Sequence, residues 1–169
     1  HCHDTADLVT AIGKGLARLL GNDFGSSPQV LYNGYMKMEE SSSIETSEPI
    51  SIRYLGTIIP GLRSPQLLFQ AAAELRLTTE TVRFEFWCND PGRVLREAAA
   101  AGVAGLVNCH APVSKEEARR LTNLAGANVI LNALVPEANQ VVTGKVFELI
   151  AAGRPIIAIT GRESELWNI

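Results

Sequence analysis

Between Gln140 and Pro155 an apolar helix opens with two opposite charges. Val146, Phe147, Leu149, Ile150, Ala151 and Ala152 predict a helix that packs deeply. Lys145 and Glu148 fall in its first turns, three residues apart and so on one face. A carboxylate there can accept the two hydroxyls of a ribose diol, as acidic residues do in dinucleotide sites. Thr143, Gly144 and the helix N-terminus can hold a diphosphate, because first-turn N–H groups and the helix dipole favour anions. The same pair also fits a surface i,i+3 ion pair, worth roughly a few tenths of a kcal/mol.

Two further segments carry candidate groups. Gly56-Thr57-Ile58-Ile59-Pro60-Gly61-Leu62-Arg63 follows a short apolar run. Its glycines would let backbone approach a ligand, and Arg63 stands just before the next helix, within reach of a phosphate. An ordinary loop with a solvated arginine is the other reading. The segment is neither a Walker sequence nor a GxGxxG turn. Asn108-Cys109-His110 is expected to follow another strand. His110 is a candidate hydrogen-bonding group for a ligand or a structural histidine, and Cys109 reads as a small buried apolar residue. His1, Cys2 and His3 are adjacent donors at a chain end, a poor basis for a closed metal site, so no metal is expected.

These groups need elements to position them. Apolar spacing predicts a helix over 4–20, capped by Asp4 or Thr5 and ended by Gly21, then a strand at Val30-Leu31-Tyr32 and a sharp turn at Asn33-Gly34. Residues 37–50 are polar and rich in Ser and Glu, which reads as a linker. From 51 onward strands and helices alternate. Strands are expected at 52–55, 82–87, 105–107, 128–131 and 155–159. Helices are expected at 64–76, 91–101, 114–125 (with a capping box from Ser114 to Glu117) and 144–152, with the start of another at 163–169. Regular alternation means right-handed crossovers and a mainly parallel, doubly wound α/β sheet of Rossmann-like type. Ligands bind such sheets at the carboxyl ends of the strands, where strand order reverses.

Composition narrows the function classes. The chain has 169 residues, 46% hydrophobic and 20% charged, enough for one sizeable core. A net charge of −3 without a basic block disfavours nucleic acid as a partner. Three cysteines, Cys2, Cys88 and Cys109, fit free thiols better than a disulfide framework. No apolar run approaches the ~20 residues that span a bilayer. The opening His1-Cys2-His3-Asp4 lacks a methionine, which predicts sequence upstream.

Gly144-Lys145-Val146-Phe147-Glu148-Leu149-Ile150-Ala151-Ala152-Gly153-Arg154-Pro155-Ile156 resembles the GKxFEYLAAGxPI signature of GT-B glycosyltransferases of the group 1, family 4-like type, many of which build polysaccharides. Ala6-Asp7-Leu8-Val9-Thr10-Ala11 resembles a segment late in that family's N-terminal domain, and Val30-Leu31-Tyr32-Asn33-Gly34-Tyr35 its junction between domains. Tyr54-Leu55-Gly56-Thr57 with Pro60-Gly61-Leu62-Arg63-Ser64-Pro65 resembles the opening of the donor domain. Val113-Ser114-Lys115-Glu116-Glu117-Ala118 resembles a later VxxEEA segment. The five correspondences run in order.

The resemblance implies residues 1–36 as the tail of an acceptor domain, 37–50 as linker and 51–169 as the donor domain, C-terminally incomplete: the C-terminal half of a GT-B fold. It implies transfer of a sugar from a nucleotide-sugar substrate without a metal or other cofactor. Glu148 would bind ribose, Arg63 and Lys145 would stabilise the leaving diphosphate, and Gly56 would admit the donor. Thr57, His110, Gln140, Thr143 and Gly144 complete the expected donor site. Gln140 stands where many relatives carry Glu, and Thr57 where many carry Arg. The acceptor implied is a glycan or a lipid-linked glycan, the place cytoplasmic, with peripheral contact to the inner membrane face left open. Lacking most of an acceptor domain, the chain alone is expected to be inactive. Two other readings stay open: a non-catalytic nucleotide-binding or scaffold module, and a sugar-nucleotide 2-epimerase of the same architecture.

Overall fold

The computed structural model describes residues 5–35 and 48–169. The elements are β1 (Thr10–Ala11), α1 (Lys14–Phe24), β2 (Gln29–Val30), β3 (Ile50–Leu55), α2 (Gln66–Glu74), β4 (Val82–Trp87), α3 (Pro91–Ala100), β5 (Val107–His110), α4 (Lys115–Asn123), β6 (Ala127–Leu131), α5 (Lys145–Ala151) and β7 (Ile156–Ile159). Strands β3 to β7 form one parallel sheet in the order β5-β4-β3-β6-β7, while β1 and β2 make a separate parallel pair.

The doubly wound expectation holds, and β6 shows it residue by residue. Val129 and Leu131 belong to the larger apolar cluster, which joins Phe84 and Phe86 to Leu68, Phe69 and Ala72 of α2 and to Val94 and Ala98 of α3. Ile130 points the other way, into a smaller cluster with Val146 and Leu149 of α5, Val142 and Leu166. Successive strand side chains alternate between faces, so helices cover both sides of β6. The strands nearer the other edge are less apolar than expected for such a sheet. In β4 only Val82, Phe84 and Phe86 are buried, while Arg83, Glu85 and Trp87 face outward.

Several local expectations give way. The helix expected over 4–20 is a strand followed by a helix. Gln29 N–H bonds Val9 O at 3.0 Å and Leu31 N–H bonds Ala11 O at 2.8 Å, so Val9-Thr10-Ala11 serves as extended pairing backbone. Gly13, with φ −176°, is extended too, and α1 begins only after it. Gly21 lies inside α1, which ends instead at Gly25 in the left-handed conformation (φ 63°). Only Gln29–Val30 pairs as β2, and Asn33-Gly34 forms no turn: Gly34 is not among the residues with positive φ.

The strand expected at 105–107 is a 3-10 turn at Ala104–Leu106 followed by β5, so Asn108, Cys109 and His110 lie within the strand rather than after it. Asn108 and His110 share one face of β5 and bond Glu85 of β4, whereas Cys109 packs against the larger apolar cluster. Ser114 caps α4 by accepting from Glu117 N–H at 3.2 Å, but Glu117 completes no reciprocal box: its carboxylate accepts from Arg120 at 2.7 and 2.8 Å. The chain end forms a 3-10 turn, Glu165–Asn168, capped by Ser164. The expected linker lies mostly outside the described residues, as do His1, Cys2 and His3, and Ile50 at its end opens β3.

Candidate functional site

Strand order reverses between β3 and β6. From β3 the chain steps outward through β4 to β5, then returns to the far side of β3 for β6 and β7. The carboxyl ends of β3 and β6 therefore flank the crevice where ligands of such sheets bind.

The loop after β3 is held by specific bonds. Gly56 N–H bonds Trp87 O at 3.1 Å. Tyr54 Oη donates to Thr57 O at 2.9 Å, and Asn89 grips both backbone groups of Ile58, accepting its N–H at 2.8 Å and donating to its carbonyl at 3.3 Å. Gly61 takes φ 74°, which turns the loop back so that Arg63 N–H bonds Ile59 O at 2.8 Å. A Cβ at Gly56 would lie 2.8 Å from Tyr54 Oη. The glycine is thus demanded by the tyrosine packed beneath it. Burial pushes the Tyr54 phenol up to about 12, against the opposing pull of Arg63, so it stays a neutral donor.

Lys145, at the start of α5, reaches this loop. Lys145 is partly buried, with Nζ 5.8 Å from the centre of the Tyr54 ring. Burial lowers its pKa. The Glu148 carboxylate opposes that shift, and the like charge of Arg63 adds to it. Among the described residues Lys145 and Glu148 make no ion pair within 4 Å, so the simple surface pair does not form. Lys145 borders a cavity of about 250 Å³ with Gly56, Thr57, Trp87 and Asn89. Glu148, exposed, borders another of about 340 Å³ with Gly144, Asn33, Lys115 and Arg119. In the turn that leads into α5, Thr143 Oγ1 accepts from Lys145 N–H at 3.4 Å, and Thr143 O accepts from Val146 N–H at 3.1 Å. The opening turn of α5 therefore already engages these amides, and charge on side chains dominates the site.

No protein-family profile matches the chain, and no curated protein matches it. Solved structures do. A point mutant of S. aureus TarM, in complex with fondaparinux, α-GlcNAc-glycerol and UDP, superposes with a TM-score of 0.66 at 10% identity over 94% of this chain. The lipopolysaccharide outer core galactosyltransferase WaaB, in its apo form, gives 0.64 at 19% identity over 93%. The pneumococcal O-GlcNAc transferase GtfA, with UDP and GlcNAc, gives 0.56 at 12% over 93%. The fold is that of the Rossmann-like domains of GT-B glycosyltransferases. The chain spans 31%, 44% and 31% of those three structures, so it matches one part of each.

The remaining residues of the expected GT-B donor site are placed apart from this group. Gln140 ends a 3-10 turn, Pro136–Gln140, that packs on α1: a Cβ at Gly15 would lie 2.5 Å from Gln140 Cα. It borders a third cavity, of about 430 Å³, with Lys14, Arg18 and Glu163, and its Oε1 is buried without a partner among the described residues. His110 bonds the Glu85 carboxylate and stacks on Trp87, with ring centroids 4.5 Å apart and planes 20° from parallel. Trp87, not His110, reaches the cavity beside Lys145. Among the described residues the thiols of Cys88 and Cys109 are pushed up by burial, Cys109 to about 11, as suits inert groups.

Sequence reasoning does not single out Tyr54, Trp87, Asn89, Lys115 or Arg119 as site residues. The period-2 alternation of Val82–Trp87 is a signal for Trp87, since it sets that residue on the outward face with Glu85. Lys115 and Arg119 are i,i+4 on α4, a spacing that places both on one face. Asn89 has no such signal, because its role depends on a loop contributed by another strand.

Proposed function

We propose that this chain supplies the donor side of a glycosyltransferase that moves a sugar from a nucleotide-sugar to a glycan or lipid-linked acceptor. The observation that carries the reading is the position of Lys145 at the start of α5, over the Tyr54 ring and bordering one cavity with Gly56 and Thr57 at the reversal of strand order, with Glu148 one turn further along the helix. Loss of a nucleoside diphosphate leaves negative charge on its terminal phosphate. Two fixed cations in a partly enclosed crevice stabilise that charge more in the transition state than in the ground state. Arg63 and Lys145 are the catalytic residues in this reading, and Glu148 accepts the ribose hydroxyls. Gly56, Thr57, Thr143 and Gly144 form the walls, and His110 steadies Trp87. The donor is substrate, and no cofactor is invoked.

In the same reading the protein is of the family 4-like type, works in polysaccharide assembly at the cytoplasmic face of a membrane, and needs an acceptor domain of which residues 1–36 are the tail. Among the described residues no helix is long and apolar enough to cross a membrane, which fits a peripheral contact. Titration of the chain with UDP, GDP and ADP tests the donor site. At least one should bind, and binding should be lost in Glu148→Ala and in Arg63→Ala. Sugar transfer by these 169 residues alone would count against the proposed division of labour.

One observation favours a second reading. Gln140, where relatives carry an acid, is packed against α1 with its carbonyl oxygen unpartnered among the described residues. A scaffold module whose donor site has decayed would show this and would bind none of the three nucleotides.

A further inference from the structure

We infer that the cavity beside Glu148 selects nucleotide donors whose base carries a carbonyl oxygen at its outer edge, uracil or guanine, over cytosine and adenine, and that Lys115 makes the selection. The inference rests on the donor-site reading above. A diphosphate between Arg63 and Lys145, with ribose on Glu148, fixes a direction. Lys145 borders the cavity at Gly56 and Thr57, while Glu148, one turn further along α5, borders the other. The base attached to a ribose on Glu148 therefore enters the cavity of about 340 Å³ that Glu148 shares with Asn33, Lys115 and Arg119. Its size lies within the roughly 300–1,000 Å³ usual for small-ligand sites.

The lining sets the preference. Lys115 and Arg119 stand one turn apart on α4 and border the same cavity. Ammonium and guanidinium groups only donate hydrogen bonds. Asn33 offers both a donor and an acceptor and does not discriminate, and Glu148 is engaged by the ribose. A base edge that meets these cations gains from a carbonyl and loses from an exocyclic amino group. Uracil and cytosine differ in this way at position 4, guanine and adenine at position 6. The placement of Lys115 points the same way. It is the first residue of α4, where the helix dipole disfavours a cation, whereas Glu116 and Glu117 beside it follow the usual preference. Among the described residues it has no carboxylate partner within 4 Å.

The test is calorimetric titration of UDP, CDP, GDP and ADP into the chain and into its Lys115→Met variant. Lys115 is exposed, so the substitution leaves the core untouched. The expected result is at least about tenfold tighter binding of UDP than CDP and of GDP than ADP. In the variant both ratios should fall towards one, through weaker binding of UDP and GDP. CDP or ADP binding as tightly as its counterpart to the unmodified chain overturns the inference, as do ratios that survive the substitution. If none of the four binds, or if Glu148→Ala leaves UDP binding unchanged, the donor reading itself fails and takes this one with it.

Discussion

The carboxylate of Glu165 and the hydroxyl of Tyr32 meet at 2.6 Å across 133 residues of sequence. The same carboxylate accepts from the backbone N–H groups of Lys14 at 2.7 Å and Gly15 at 2.8 Å, so it caps the start of α1 from the far end of the chain. No residue next to α1 supplies this cap: Gly13 precedes the helix and has no side chain to offer. A Cβ at Gly13 would lie 2.9 Å from a Glu165 oxygen. The glycine and the distant acid are two halves of one arrangement. Glu165→Ala should destabilise the chain by about 1–2 kcal/mol, the usual worth of an N-cap, and Tyr32→Phe by less, about 1 kcal/mol. Urea denaturation followed by circular dichroism measures both. Equal stability of Glu165→Ala and the parent would mean that the cap is not formed.

Protonation should mimic that substitution. Burial opposes ionisation of Glu165, but hydrogen bonds from the Gly15 amide, the Tyr32 hydroxyl and the Lys14 amide outweigh it, so its folded pKa is lowered from 4.5. A carboxylate with a depressed folded pKa binds protons more readily when unfolded. Its stabilisation is complete above the unfolded value and is lost as pH falls through the folded one. The stability difference between the parent and Glu165→Gln should be constant near neutrality and shrink below about pH 4.5. A difference that grows on acidification would reverse the sign of the argument.

Much of this arrangement is legible in the sequence, and the rest is not, for physical reasons. The alternation from Ile50 to Ile159 follows from local apolar periodicity, and so do the parallel sheet and the placement of Lys145 at its carboxyl edge. Lys145 opens α5, and a doubly wound sheet sends such helix starts to the edge where its strands end. The start of α1 is hidden because Leu8, Val9 and Ile12 satisfy a helical spacing. Only pairing with Gln29–Val30, beyond the reach of any local pattern, makes Thr10–Ala11 a strand. His110 reads as either a ligand contact or a structural histidine because neither Glu85 nor Trp87 is near it in sequence. Their parallel register brings them together, with Trp87 opposite His110. The split between Gln140 and Glu148 is equally hidden, since it depends on how closely α1 approaches the 3-10 turn.

That approach is itself testable. A methyl group at Gly15 would lie 2.5 Å from Gln140 Cα and 2.8 Å from its carbonyl oxygen, both backbone atoms with little room to yield. Gly15→Ala should cost about 1–3 kcal/mol, as overpacking does, although alanine has the higher helix propensity. Gly25→Ala, at a left-handed cap with nothing within 4 Å, tests conformational strain without a clash. Thermal melts of the two variants, compared with the parent, separate the contributions. A Gly15→Ala protein as stable as the parent would show that α1 does not rest against this turn.

Lys145 offers a proton-linked test of the diphosphate position. Its folded pKa is lowered, chiefly by burial, so over the range between the folded value and 10.5 the folded protein binds fewer protons than the unfolded chain. Stability in that range should rise with pH. A diphosphate bound beside the ammonium favours the charged form and raises the pKa again. Nucleotide binding at alkaline pH should therefore draw protons from the buffer. Calorimetry in two buffers of different ionisation enthalpy would read this uptake as a difference in apparent binding heat. The difference should vanish in Lys145→Met, while Glu148→Gln should retain it with weaker binding. Proton uptake of equal size in Lys145→Met would place the diphosphate somewhere other than between Arg63 and Lys145.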